Sequence, residues 1–260
     1  MRTHLLALFL TFACSHKIEG PTPSVSGARN EHDQSTGPAY LCNAQGDPAD
    51  GWLIDALGDK FAPLPTGALV GTAGVRMPDV ALSGPQAYTV PSARVRFADK
   101  TRMPLAMPTK DSTADAHELP PGDYALTVTN VNGKSGSAAA AIRVVPPPKI
   151  TAVSLAPTAG GPASTSLCAD QAMTLTVTGS SFRTDVAPAV AIGLHVFSGT
   201  SIASVTATVI TVAIPAGTFS AAETSGNGAP FTVEVRNSEG CKAPFGTDPI
   251  GPATVTAFPT

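Results

Sequence analysis

A chain of 260 residues is long enough for one large domain or two ordinary ones, each with its own core. Charged residues make up only 13% of the chain and the formal net charge is −3, so nothing electrostatic favours a nucleic-acid partner. The 24 glycines and 25 prolines leave little room for long helices, and a hydrophobic fraction of 43% argues against disorder. The composition predicts a folded, turn-rich, mostly β protein.

The first residues have the pattern of an export signal. Met1-Arg2-Thr3-His4 is a short cationic start, and a mostly apolar run over residues 5–13 follows it. Nine helical residues span roughly 14 Å, less than half of a bilayer core, so this run is too short to anchor the chain by itself. We expect residues 1–14 to be a signal peptide.

The end of this run, Leu10-Thr-Phe-Ala-Cys14, resembles a bacterial lipobox, whose cysteine is acylated and becomes the new N-terminus. Ala13 has the small side chain that the motif requires, whereas Thr11 and Phe12 depart from it, so ordinary cleavage after Ala13 remains an alternative. The resemblance implies lipidation at Cys14 and attachment to the outer membrane or cell surface. Without acylation, the protein would be periplasmic or secreted.

Residues 15–36 are polar and contain Gly20, Pro21, Pro23 and Gly27. Such a composition is typical of a flexible linker between an anchor and a folded part.

The two halves of the chain share a similar run near their ends. Residues 119–134 join a proline–glycine turn to an alternating strand and then to an Asn-x-x-Gly turn, and residues 214–241 repeat this order with an insertion. Alternation places every second side chain on one face of a strand. The residues that share such a face are Tyr124, Leu126 and Val128 in the first half, and Phe231, Val233 and Val235 in the second.

A second correspondence lies earlier in each half. Cys42 precedes the run 52–61, and Cys168 precedes the run 173–182. In the later run, apolar residues alternate with three threonines, which predicts a strand with one buried face and one solvent-exposed face. A glycine is expected to end this strand, and Phe182 is expected to fold back and fill the core.

These patterns resemble an IPT/TIG domain, an immunoglobulin-like β-sandwich found in bacterial surface proteins. The resemblance is carried by residues 148–157, by the Thr-Val-Thr-Gly-Ser-Ser-Phe turn that ends at Phe182, and by the Asn-Ser-Glu-Gly hairpin at 237–240. It implies one such domain over residues 148–260 and a divergent copy over residues 37–147.

The spacing of strands and turns also predicts a sandwich, since short strands recur about every 8–12 residues between turn residues. Pro146-Pro147-Pro148 cannot join a sheet and is expected to stiffen the connection between the two domains. The predicted fold is therefore all-β, with tandem immunoglobulin-like β-sandwiches arranged as a rod.

An exported protein meets an oxidising compartment, so its cysteines are expected to pair. Lipidation of Cys14 would leave Cys42, Cys168 and Cys241. Cys168 precedes an alternating strand and Cys241 lies in the turn after the closing hairpin. These two places can be neighbours at one end of a sandwich, so we predict a Cys168–Cys241 disulfide. Cys42 would then be a buried thiol or would join another chain, and Cys14–Cys42 is a further option if Cys14 is not acylated.

Catalytic and metal-binding motifs are not evident in the sequence. Asp47, Asp50, Asp55 and Asp59 could offer oxygen ligands to calcium, but their spacing matches no calcium loop, and ordinary hydrogen-bonding turn residues are favoured. Zinc spacing, a Gly-x-Ser-x-Gly elbow and a glycine-rich phosphate loop are missing. We expect no catalytic residue, metal or cofactor.

Three functions fit this sequence to different degrees. The favoured one is a non-enzymatic surface lipoprotein that binds or spaces other surface or secreted proteins and is held to the membrane by its lipidated N-terminus. An accessory carbohydrate-binding protein for an extracellular polysaccharide or enzyme complex is the alternative, although one tryptophan and three tyrosines are few for a sugar-stacking surface. A hydrolase would need a convergent triad or carboxylate pair.

Overall fold

The computed structural model describes residues 19–45, 52–65, 74–110, 117–220, 223, 229–244 and 249–258. These residues form short β-strands and the short 3-10 segments 92–94, 199–201 and 251–253, which confirms the predicted all-β fold class. Within the same residues, no helix is long and apolar enough to cross a membrane.

The first sandwich is formed by strands β1 to β10. These strands are β1 Ser24–Asn30, β2 Ala39–Cys42, β3 Trp52–Asp59, β4 Leu64–Pro65, β5 Val75–Arg76, β6 Asp79–Ser83, β7 Tyr88–Val90, β8 Arg102–Met107, β9 Gly122–Thr129 and β10 Ser135–Val145. One sheet has the order β1-β3-β8, and the facing sheet has the order β2-β10-β9-β6-β7. Strand β2 runs parallel to β10, and β4 and β5 form a separate small sheet.

The second sandwich repeats this arrangement. Its strands are β11 Lys149–Pro157, β12 Ser166–Cys168, β13 Met173–Ser180, β14 Ala189–Ile192, β15 His195–Phe197, β16 Ile202–Val205, β17 Val209–Ile214, β18 Ala229–Arg236, β19 Lys242–Ala243 and β20 Thr254–Phe258. The sheets have the orders β11-β13-β17-β16 and β12-β20-β18-β14-β15, with β19 beside β18. Strand β12 runs parallel to β20, as β2 does to β10.

Each sandwich has its own hydrophobic core, built from the side chains that face inward between its two sheets. The predicted alternation is confirmed for Tyr124, Leu126 and Val128 in β9, which are fully buried. The same holds for the Met-Leu-Val face of β13. Residues 146–148 connect the end of β10 to the start of β11.

Tyr124 forms a hydrogen bond that is typical of immunoglobulin-like sandwiches. Its hydroxyl donates to the carbonyl oxygen of Pro120 at 2.9 Å, four residues upstream and just before β9 begins. Burial of the ring raises the pKa of Tyr124, so the hydroxyl stays protonated as a donor. A tyrosine at the start of this strand, bonded back to the preceding backbone, is a hallmark of such folds.

The predicted flexible linker over residues 15–36 is wrong for β1. Ser24–Asn30 pairs with β3 along its length and belongs to the first sandwich. The sequence hides this strand because Ser24 and Ser26 are exposed, and full burial begins only at Ala28. A bulge between Val25 and Gly27 further breaks the alternation by which a strand is recognised. Residues 15–18 lie outside the described residues.

The internal repeat extends to one close contact at the end of β3 and of β13. In each sandwich, a glycine in this strand packs against a backbone carbonyl of the first strand and against the ring of a phenylalanine three residues later. The two sets are Gly58, Ser24 and Phe61 in the first sandwich, and Gly179, Lys149 and Phe182 in the second. A Cβ atom on either glycine would overlap both neighbours, so the strand end requires glycine. Phe182 is buried, as predicted.

Replacing Gly58 or Gly179 by alanine should therefore destabilise the sandwich that contains it by about 3 kcal/mol, because the first strand or the phenylalanine must move. Gly251→Ala is the control, since a Cβ there meets nothing within 4 Å. Urea unfolding of the three variants measures the effect. Equal stabilities for Gly58→Ala and Gly251→Ala would contradict the packing described.

Candidate functional site at the joint between the sandwiches

A buried asparagine shapes a turn at one end of each sandwich. In the second sandwich, Asn237 donates from Nδ2 to the carbonyl of Ser181 at 2.9 Å, and its Oδ1 accepts the backbone N–H of Arg183 at 3.2 Å. Asn130 makes the equivalent two bonds in the first sandwich, at 2.8 and 3.0 Å. We call residues 237–241 the docking turn, because in the second sandwich this turn contacts the first sandwich and forms the joint between them.

A disulfide links the docking turn to the first sandwich. Cys241, the last residue of the turn, bonds to Cys42 at the end of β2. Their Cα atoms are 5.5 Å apart, and the two cysteines are 199 positions apart in sequence. Both cysteines are fully buried. The predicted Cys168–Cys241 disulfide is therefore wrong, and Cys168 is a half-buried free thiol.

The direction of β18 explains why Cys168 and Cys241 do not pair. Cys168 is in register with Phe258 on the neighbouring β20, and this part of β20 lies beside Ala229 at the start of β18. Cys241 follows Arg236 at the other end of β18. Seven steps along a strand cover roughly 23 Å, far beyond the Cα separation that a disulfide allows.

Arg183 is the second link across the joint. Its Nη1 donates to Oδ2 of Asp33, which lies between β1 and β2 of the first sandwich, at 2.9 Å, and to Oε2 of Glu239 at 3.1 Å. Its other nitrogens bond to Asp185, and the guanidinium lies 3.6 Å from the ring centroid of Tyr40. The side chains of Arg183 and Glu239 are only 6% and 0% exposed, so this charge pair is desolvated.

The charges at the joint depend on one another. Burial raises the pKa of Glu239, and the attraction of Arg183 only partly opposes this. The hydrogen bond from Arg183 lowers the pKa of Asp185. Burial alone would lower the pKa of Arg183, but its carboxylate partners outweigh burial and raise it. Removal of the arginine would leave buried carboxylates without a counter-charge, which is costly.

Trp52 and Gln45 complete the first sandwich's side of the joint. Gly240 of the docking turn packs against the indole ring with φ +99°, and a Cβ there would collide with the ring. The indole N–H donates to the Gln45 carbonyl at 2.5 Å. The Gln45 side chain donates to the carbonyl of Lys242 and accepts its N–H, both at 2.7 Å. Trp52 is half-buried against the first core and contacts Gly240 of the docking turn.

The predicted aspartate group does not gather around one point in the described residues. Asp47 and Asp50 lie outside them. Asp55 is fully buried and bonded to Arg29 at 2.5 Å, while Asp59 ends β3 opposite Ser24. Among the described residues, no three His, Cys, Asp or Glu side chains are placed to hold a metal ion.

One polar cluster outside the joint has residue types found in catalytic triads. Glu223 accepts bonds from Nε2 of His195 at 2.8 Å and from the Ser220 hydroxyl at 2.7 Å. The Ser220 backbone N–H, its hydroxyl and His195 together lower the pKa of Glu223 to about 2. Here the carboxylate binds both the histidine and the serine, whereas in a catalytic triad the histidine lies between the carboxylate and the hydroxyl.

Several solved structures are distantly similar to the chain, whereas no protein-family model and no curated protein matches it. SGBP-B from a complex xyloglucan utilization locus in Bacteroides uniformis is 13% identical over 85% of this chain and 47% of its own, with a TM-score of 0.26. Surface glycan-binding protein PbSGBP-B from Prevotella bryantii is 12% identical, with coverages of 92% and 42% and a TM-score of 0.29. The insect immune protein hemolin is 12% identical, with coverages of 95% and 48% and a TM-score of 0.27.

The chain thus spans less than half the length of these three proteins. Similarities at TM-scores of 0.29 or below assign no ligand to the chain. The IPT/TIG resemblance stays a prediction, since no family model matches.

Replacing Arg183 by methionine should destabilise the joint by about 3–5 kcal/mol, because Glu239 and Asp33 would lose their buried counter-charge. The matched control is Arg236→Met, which removes an exposed pair with Glu234 and should cost less than about 1 kcal/mol. Urea unfolding followed by the fluorescence of Trp52, which lies at the joint, measures both. Equal losses would mean that Arg183 does not hold the joint.

Proposed function

We propose that this chain is an exported, lipid-anchored cell-surface protein whose two sandwiches act as one stiff, non-catalytic module that binds or spaces other surface or secreted proteins. The observation that carries the proposal is the locked joint. The docking turn is held to the first sandwich by the Cys42–Cys241 disulfide and by buried Arg183.

The disulfide supports the export part of the proposal. Disulfides persist in oxidising compartments and are rare in the cytosol. Cys42 and Cys241 are both fully buried in the folded chain, so this bond is part of the structure rather than an exposed thiol pair. It agrees with a signal peptide over residues 1–14 and with lipidation at Cys14, both of which lie outside the described residues.

The joint supports a role as a spacer. A flexible linker would let the two sandwiches point in any direction, whereas contacts on both sides of Cys241 and a stiff connection at residues 146–148 fix their angle. A fixed angle holds any binding surface of the second sandwich at a defined orientation relative to the first.

The edge of the second sandwich offers a surface for a protein partner. Leu194, in the turn before edge strand β15, is 92% exposed, and Val196, in the middle of this strand, is 68% exposed. Exposed apolar residues on a strand edge favour pairing with another polypeptide.

The three tyrosines do not favour the polysaccharide alternative. Tyr124 is fully buried, and Arg183 covers the ring of Tyr40. Tyr88 stacks on His117 with ring centroids 5.0 Å apart and packs against the first core. A sugar-binding platform needs open ring faces, so a protein partner is the stronger proposal.

Lipid anchoring is tested by fractionation of cells that express the full chain. Cys14→Ala should move the protein from the membrane pellet to the soluble exported fraction, because it removes the acylated residue. Cys168→Ala is the matched control and should stay in the pellet. Membrane retention of the Cys14→Ala protein would contradict lipid anchoring at this residue.

The binding role is tested by affinity capture on intact cells with the soluble fragment that starts at residue 19. We expect protein partners that are lost with Val196→Lys and retained with Val75→Lys, a control of similar exposure on β5. Capture of polysaccharide in place of protein, or equal capture by both variants, would contradict binding through β15.

A further inference from the structure

We propose that the joint is a redox-controlled hinge. The contacts around the docking turn shield the Cys42–Cys241 disulfide from reductants, and the sandwiches separate only when these contacts open and the disulfide is then reduced. This inference goes beyond the proposed anchoring and binding roles and does not depend on either.

The shield consists of contacts on both sides of Cys241. The residue before it, Gly240, lies under the indole ring of Trp52. The residue after it, Lys242, is bonded through its backbone N–H and carbonyl to the side chain of Gln45. A thiolate must reach a sulfur atom to attack it, so this fully buried disulfide can react only after the contacts on either side of Cys241 open locally.

Lifting the turn also breaks the polar contacts farther along it. Asp33 accepts from Arg183 at 2.9 Å and from the Ser238 hydroxyl at 3.4 Å, and both donors belong to the second sandwich. Because the Arg183 and Asp33 side chains are each 6% exposed, they gain water only when the sandwiches part. The disulfide therefore keeps Arg183 and Asp33 within bonding distance of each other. Their ion pair in turn helps to keep the joint closed, which prevents a reductant from reaching the disulfide.

The chemistry of opening is an ordinary thiol–disulfide exchange with a dithiol reductant. A reductant thiolate attacks one sulfur of the Cys42–Cys241 bond, forms a mixed disulfide and releases the other cysteine as a thiolate. The second reductant thiol then displaces the first cysteine and closes the reductant's own disulfide. Two electrons pass to the protein, and the two cysteine thiolates take up two protons.

The described contacts indicate that reduction separates the sandwiches without unfolding them. The turn is held within its own sandwich by Asn237, whose backbone bonds to Cys241 and Gly240 and whose side chain bonds to the Ser181–Arg183 corner. Each sandwich also keeps its own hydrophobic core. After reduction and opening, β10 and β11 remain covalently joined through residues 146–148.

Trp52 provides a direct signal of opening, since it is the single tryptophan of the chain and contacts the docking turn. The full purified chain is first alkylated so that Cys168 cannot exchange, then treated with dithiothreitol. Peptide mass spectrometry follows the newly freed Cys42 and Cys241, tryptophan fluorescence follows the joint, and circular dichroism follows the strands.

We expect slow reduction of the wild-type protein, with a fluorescence change at the same rate and an unchanged β-sheet signal. Gln45→Ala removes both bonds to Lys242 and should be reduced about tenfold faster, since each bond contributes to the closed state. Asn132→Ala, in the equivalent turn of the first sandwich, is the matched control and should be reduced at the wild-type rate.

Two results would overturn the inference. Reduction of the wild-type protein as fast as in concentrated urea, or at the same rate as Gln45→Ala, would show that the contacts do not shield the disulfide. Loss of the β-sheet signal together with the fluorescence change would show unfolding instead of a hinge. If Gln45→Ala does not fold, Ser238→Ala removes a contact on the other side of the turn and is judged by the same rates.

Discussion

The arrangement of the two sandwiches depends on the burial of one guanidinium group between them. Arg183 leaves the second sandwich, stacks on Tyr40 of the first, and is bonded by carboxylates from both. A buried guanidinium is stable only if carboxylates and hydrogen-bond acceptors surround it in good geometry. Here those acceptors come from both sandwiches, Asp33 from the first and Glu239 from the second. The charge pair thus selects one angle between them, which the Cys42–Cys241 disulfide then makes covalent.

The same end of the fold serves different purposes in the two sandwiches. In the second, the turn that begins at Asn237 docks onto the neighbouring sandwich. In the first sandwich, the equivalent turn, residues 130–134, binds the segment that precedes β1. Asn130 and Asn132 both donate to the Pro21 carbonyl, and Lys134 donates to the Gly20 carbonyl. Lys134 takes the place of Cys241, so this contact is non-covalent. One scaffold therefore accepts a neighbouring domain or a strand of linker by changing a few turn residues.

Local patterns allowed the sequence to predict the sandwiches but not the joint. Alternation in β9 and β13 and the glycine–phenylalanine strand ends are short-range features, and the structure confirms them. Strand β1 was missed because serines occupy its outer face and a bulge interrupts it. The joint brings together residues up to 205 positions apart, such as Asp33 and Ser238. The alternation of apolar and polar residues within a strand carries no information about contacts between residues so far apart. The sequence signal for the joint was Cys42, for which no partner was found within its own domain.

The disulfide also constrains the order in which the chain can mature. β10 and β20, which pair with β2 and β12, are the last strands of their sandwiches, so each sandwich closes only once its final residues are available. Cys241 follows Cys42 by 199 residues, so the chain must be synthesised as far as the docking turn before the two sulfur atoms can meet. Covalent locking of the angle therefore follows synthesis of both sandwiches as far as β18, because Cys42 cannot pair with Cys241 before that point.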